Sequence, residues 1–151
     1  MRKMISWPKA SLAKMAPETL NAWLAEAQGW TVSQSGYDEE PCWRDADGKD
    51  TGFSPDPYLG GPSYYSPTKS YVQVFWTLKN LGKKYRIEIK KEFKTEINER
   101  TGEPRLGMKT GVIGWLDGDQ GAVYETFDGA DPLTLSLAIL WAVGKIDESR
   151  G

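Results

Sequence analysis

The stretch "KYRIEIKKEFKT", residues 84–95, limits the possible folds more than any other part of this chain. Tyr85, Ile87 and Ile89 alternate with Arg86, Glu88 and Lys90. A strand patterned this way has one dry face and one wet face, as in an antiparallel sheet covered on a single side. "KTGVIGWLD" and "AVYETFDG" follow, with "DGDQG" as a turn between them, so residues 84–128 predict a three-stranded meander. "EINERTGEPRLG", residues 96–107, reads as a polar, protruding connection between its first two strands.

Helical signals flank the meander. In "PETLNAWLAEAQ", residues 17–28, Leu20, Trp23, Leu24 and Ala27 recur at helical spacing. Pro17 suits the first turn, Glu18 suits the positive end of the dipole, and Gly29 is placed to cap the end. "SPTKSYVQVFWTLKNLG" predicts a helix capped by Ser66, opened by Pro67 and ended by a left-handed Gly82. Tyr71, Val74, Phe75 and Leu78 form one face of it and Val72 and Trp76 widen that face, so a helix covered on more than one side is expected. "DPLTLSLAILWAVGKI" closes the chain, with Asp131 as cap, Pro132 at the start, a stripe of Leu133, Leu137, Leu140 and Trp141, and Leu135 and Ile139 on a second side. The expected class is α+β: an antiparallel sheet of about three to five strands with two or three helices packed against it, in α-β-α-β-β-β-α order. A basic N-terminal extension over residues 1–15, which the fold does not require, would precede one domain over residues 16–148.

Composition narrows the chemistry. The chain has no histidine and one cysteine, Cys42. Ser-His and Cys-His nucleophile pairs, the usual neutral-pH general base, internal disulfides and the common zinc patterns are therefore absent. Cys42 reads as a small buried hydrophobe, because a reactive thiol needs a nearby base or cation and acidic residues surround it. Asp45, Asp47, Asp50 and Asp56 could offer oxygen ligands to calcium or magnesium, but Lys49 and Gly48 break the register of a calcium loop. "DADG", residues 45–48, is better read as a turn, with Trp43 beside it as an anchor to the core. Carboxylate pairs such as Glu39 with Glu40 and Asp117 with Asp119 do not define a cleft from sequence alone. "YLGGPSYY" lacks the Lys-Ser or Lys-Thr of a phosphate loop. No catalytic residue, metal site or cofactor is expected.

With no apolar run of signal-peptide or membrane-spanning length, a cytoplasmic protein is expected. Two binding modes remain. Tyr58, Tyr64 and Tyr65, in a Gly/Pro-rich loop, are of the type enriched at protein interfaces, although they could equally cover the sheet of their own domain. Trp76 or Trp141 could instead seal a homo-oligomer. The alternative is nucleic acid: the helix–three strands–helix order over residues 67–146 matches a double-stranded RNA-binding domain. Lys83, Lys84, Arg86, Lys90, Lys91 and Lys94 would then contact phosphates. The closing helix begins with Asp131 and carries only Lys145 and Arg150 late, which disfavours that mode.

"LNAWLAEAQGW", "PCWRDADGK", "FSPDPY", "YSPTKSYVQVFWTL", "YRIEIKKEF" and "DGADPLTLSLAILWAV" together resemble the phage ABA-sandwich domain family over nearly the whole chain after residue 16. Two stretches depart from that pattern: the long, charged "KEFKTEINERTGEPRLGMK" and the basic segment before residue 16. The resemblance implies a small, non-enzymatic phage or prophage accessory protein that binds a host or phage protein, one version being interference with a host defence system. It supplies no catalytic residues to carry over.

Overall fold

The computed structural model describes residues 6–33, 41–57 and 64–151. Its class is α+β. The elements are α1 (Lys9–Leu12), α2 (Pro17–Ala27), β1 (Thr31–Ser33), β2 (Cys42–Arg44), α3 (Tyr71–Leu81), β3 (Ile87–Ile97), β4 (Pro104–Trp115), β5 (Ala122–Asp128) and α4 (Pro132–Arg150). β1 and β2 form a small antiparallel sheet, and β3-β4-β5 form the expected meander.

The closing helix lies at the centre. Asp131 caps it by accepting from the Thr134 N–H at 2.9 Å. One side of α4 packs on β4 and β5 through Val112 and Phe127, and the other meets α1, α2 and α3. Leu135, Ile139, Leu140, Trp141, Val143 and Ile146 are all buried. Close approach depends on small residues: a Cβ placed on Gly114 of β4 would stand 3.4 Å from both the Ala142 Cβ and the Ile146 Cδ1. Trp141 is therefore a core residue and cannot seal a homo-oligomer.

α2 ends in a paired-bond cap. Gly29 has φ +83°, the Gly29 N–H donates to the Glu26 carbonyl, and the Trp30 N–H reaches the Ala25 carbonyl. Residues before α2 are drawn onto the domain. Leu12 is buried in the core, Trp7 stacks on Trp23 at 6.0 Å, and the Lys9 ammonium lies over the Phe127 ring. A fully buried Leu12 is at odds with a segment the fold can do without.

The "DADG" turn has the expected form. The Asp45 carboxylate accepts from the N–H groups of Asp47 and Lys49, both at 2.9 Å, and Gly48 takes φ +83°. Trp43 is buried beside it, whereas Cys42 is partly exposed rather than buried.

Three further expectations are corrected. α3 starts at Tyr71, because the Asn21 Oδ1 of α2 takes the Thr68 N–H at 3.1 Å and holds residues 67–69 in a turn. Ser70, not Ser66, accepts from Gln73 as the cap, and Gly82 stays right-handed at φ −58°. The polar 96–107 segment is mostly strand: β3 runs to Ile97, β4 begins at Pro104, and only residues 98–103 turn. β5 pairs with β4 only as far as Lys109–Asp128, so the far ends of β3 and β4 project as a two-stranded arm. On the arm's charged face the Glu92 and Glu96 side chains lie flat over Gly111 and Gly107 of β4. α3, expected to be covered on more than one side, leaves its aromatic face open.

Candidate protein-interaction surface

α3 buries only Val74, Thr77 and Leu81. Tyr71, Val72, Phe75 and Trp76 are exposed, with Val72 at 80%. The helix lies at the rim of the fold, so its aromatic face is open rather than covered. Tyr71 and Phe75, Val72 and Phe75, and Val72 and Trp76 are i,i+3 or i,i+4 neighbours on the helix, so these four side chains form one strip. Monomeric proteins usually scatter large apolar side chains singly, and a clustered set marks a contact surface.

The strip is rigid. Tyr71 and Phe75 stack with centroids 6.5 Å apart, and the Tyr71 hydroxyl donates to the Ala130 carbonyl at 3.0 Å. Trp76 rests on buried Trp30 at 5.7 Å and on Phe53 at 5.9 Å. Both of those rings touch Tyr65, at 4.8 and 5.4 Å. Trp76 is thus the outer member of an aromatic cluster rooted in the core, and presenting it to a partner costs little side-chain entropy. Trp30 also lines a largely apolar groove of about 510 Å³, together with Trp43, Val32 and Ala46.

The tyrosines named from the sequence are separated by the fold. Tyr58 lies outside the described residues. Tyr65 is 1% exposed, with its hydroxyl bonded to Thr77 and to Gln28, so it belongs to the core and not to a surface. Burial pushes its phenol up to about 12, with those two hydrogen bonds opposing the shift. Tyr64 is half-buried and takes a hydrogen bond from Asn21 at 3.2 Å. The open aromatics are one element later, on α3. The sequence shows α3's apolar width but not which of its sides stays uncovered.

The six cations proposed for phosphate contact are also dispersed. Lys83 and Lys84 follow α3, and the Lys84 ammonium lies over the Tyr85 ring. Arg86 stacks on Trp115 at 4.5 Å, and Lys90 pairs with Glu88 at 3.6 Å. Lys91 is on the opposite face of β3 from Lys90 and Lys94, because successive residues of a strand alternate. Glu88, Glu92 and Glu96 interleave with the basic residues of the charged face.

A polar cluster, buried at Tyr85 and Asp147 and open at Arg150 and Asp117, ties the end of α4 to the residues that lead into β3. The Tyr85 hydroxyl donates to Asp147 at 2.8 and 3.0 Å, and the Arg150 guanidinium stacks over the Tyr85 ring at 4.8 Å. Arg150 also binds Asp117 and the Lys84 carbonyl. Burial, then the bond to Asp147, moves the Tyr85 phenol well above its ordinary value, so it stays protonated and acts as a structural donor. Among the described residues, no group of three or more Cys, Asp or Glu side chains is arranged to hold a metal ion, and no helix is long and apolar enough to cross a membrane.

No protein-family model, curated protein or solved structure matches the chain.

Proposed function

We propose that this chain is a small accessory protein of phage type that acts in the host cytoplasm by binding another protein, with the α3 face as its contact surface. The observation that carries this reading is the strip of Tyr71, Val72, Phe75 and Trp76, open to solvent and backed by the Trp30–Phe53–Tyr65 cluster. An apolar helix face with anchors at these spacings fits a hydrophobic groove on a partner. The phage assignment rests on the resemblance read from the sequence alone, and a host defence component is one partner it suggests. The absence of histidine and the engagement of the Tyr65 and Tyr85 hydroxyls in structural hydrogen bonds support binding rather than catalysis.

The test is affinity capture from host cells with the wild-type chain and with a Val72→Arg/Phe75→Arg variant. Both positions are exposed, so the variant is expected to keep the wild-type melting temperature while losing the specific partner. If the two baits retain the same proteins, α3 is not the contact surface.

The nucleic-acid reading has one observation in its favour, the α3-β3-β4-β5-α4 order. Acids interleaved with the β3 cations weigh against it, since a phosphate-tracking surface needs an unbroken basic stripe. No mobility shift with double-stranded RNA at low salt is the expected result.

A further inference from the structure

β3 is an edge strand, paired with β4 on one side and, among the described residues, with nothing on the other. It runs for eleven residues without proline, and long edges of this kind are ready templates for a further strand. The backbone groups that face outward can be assigned. The Trp115 N–H donates to the Arg86 carbonyl and the Asn98 N–H to the Glu103 carbonyl, so even-numbered residues of β3 point their polar groups at β4. The N–H and C=O groups of Ile89, Lys91, Phe93, Thr95 and Ile97 therefore point to the free edge.

Side chains along this edge are self-complementary. On the charged face Arg86, Glu88, Lys90, Glu92, Lys94 and Glu96 alternate strictly in sign. The other face carries Ile89, Phe93 and Ile97, with Phe93 67% and Ile97 71% exposed and Leu106 of β4 beside them at 67%. We infer that β3 pairs antiparallel with β3 of a second copy about a two-fold axis at Phe93, joining two meanders into one six-stranded sheet.

Charge limits the axis to odd-numbered residues, and the apolar face favours Phe93 among them. With the axis at Phe93, Lys90 faces Glu96 and Glu92 faces Lys94, each pair occurring twice, while Ile89 meets Ile97 and Phe93 meets its own copy. Such opposite-charge and apolar cross-strand pairs stabilise a ladder. Moving the axis by one residue, to Glu92 or to Lys94, sets Lys90 against Lys94 or Glu92 against Glu96. An axis at Lys91 keeps the charged pairs but stacks Lys91 on itself. The Tyr124 hydroxyl takes one oxygen of Glu92, and Lys94 of the second copy meets the other. Pairing also brings each exposed Ile97 beside the other copy's Ile89, which is packed against the core. This surface shares no residue with the α3 strip.

The experiment uses the full chain and measures mass by light scattering over a concentration series. A dimer, twice the mass of one chain, is expected. Lys90→Glu/Lys94→Glu should weaken it by about tenfold or more, because every opposite-charge pair becomes a like pair. Adding Glu92→Lys/Glu96→Lys to that variant restores the pairing and should restore the dimer, which a folding defect would not. The register is read by cysteines in a Cys42→Ser background: Phe93→Cys should cross-link across the axis on mild oxidation, and Lys91→Cys should not. A monomer at every concentration overturns the inference. So does a dimer that survives Lys90→Glu/Lys94→Glu but is lost in Val72→Arg/Phe75→Arg, and so does cross-linking at Lys91→Cys in place of Phe93→Cys.

Discussion

α3 and α4 are both strongly apolar helices, yet one is enclosed and the other half open. α4 carries Ser136, Ala138, Ala142 and Gly144 among its branched aliphatics, all of them buried. Those small side chains let the sheet approach on one side and three helices on the other. α3 carries three rings, Tyr71, Phe75 and Trp76, on the side it turns to solvent at the rim, whereas α4 carries a single ring, Trp141, and buries it. Side-chain size, more than apolar content, separates a central helix from a peripheral one.

Substitutions in the two helices should differ accordingly. Ile139→Ala, at the centre of α4, leaves a cavity in a two-sided core and should cost about 4 kcal/mol in chemical denaturation. If it cost no more than a surface change, the central placement of α4 would be untenable. A chain beginning at Met15 removes Leu12 from the same core and should lose about 2–3 kcal/mol. Unchanged stability would restore residues 1–14 as a dispensable extension.

Each helix also keeps a protonated phenol, Tyr65 bonded to Thr77 of α3 and Tyr85 bonded to Asp147 of α4. For Tyr65 the folded value is raised from 10.0 to about 12. The unfolded chain therefore releases this proton first, so the stability linked to it is complete below pH 10 and is lost as pH rises from 10 toward 12. That loss should be on the order of 2–3 kcal/mol. Tyr65→Phe should flatten the alkaline slope; an unaltered slope would mean that its hydroxyl is not shielded. The smallest effect belongs to the open face: Val72→Ser should shift stability by no more than about 0.5 kcal/mol, and a large loss would show that α3 is covered after all.

Alternation in residues 84–94 made the meander legible, because burial on one face imposes a period of two on the residues. The same logic explains why the sequence of the arm reads as a connection. Its residues are exposed on both faces, so Glu96, Ile97, Arg105 and Leu106 carry no burial period, and pairing between backbones leaves no trace in side-chain type. α3 began late for a different reason. Ser66-Pro67 and Ser70 are equally good local starts, and the choice falls to Asn21, 47 residues away from Thr68. Tyr64 and Tyr65 are neighbours of identical chemistry, and only the positions of Thr77 and Gln28 make one of them core. Trp43 was legible because a tryptophan beside a tight turn has few other places to go.

The glycines beneath Glu92 and Glu96 give β4 control over the charged edge that β3 presents. A methyl group at Gly111 would stand 3.0 Å from both the Glu92 Oε1 and the Tyr124 hydroxyl, and one at Gly107 would stand 3.3 Å from the Glu96 carboxylate. Gly111→Ala would lift the first carboxylate off the sheet, and Gly107→Ala would lift the second. The lysines between them would stay where they are. Sequence drift at uncharged positions of β4 can thus retune the electrostatic pattern of its neighbour while every acidic and basic residue is retained.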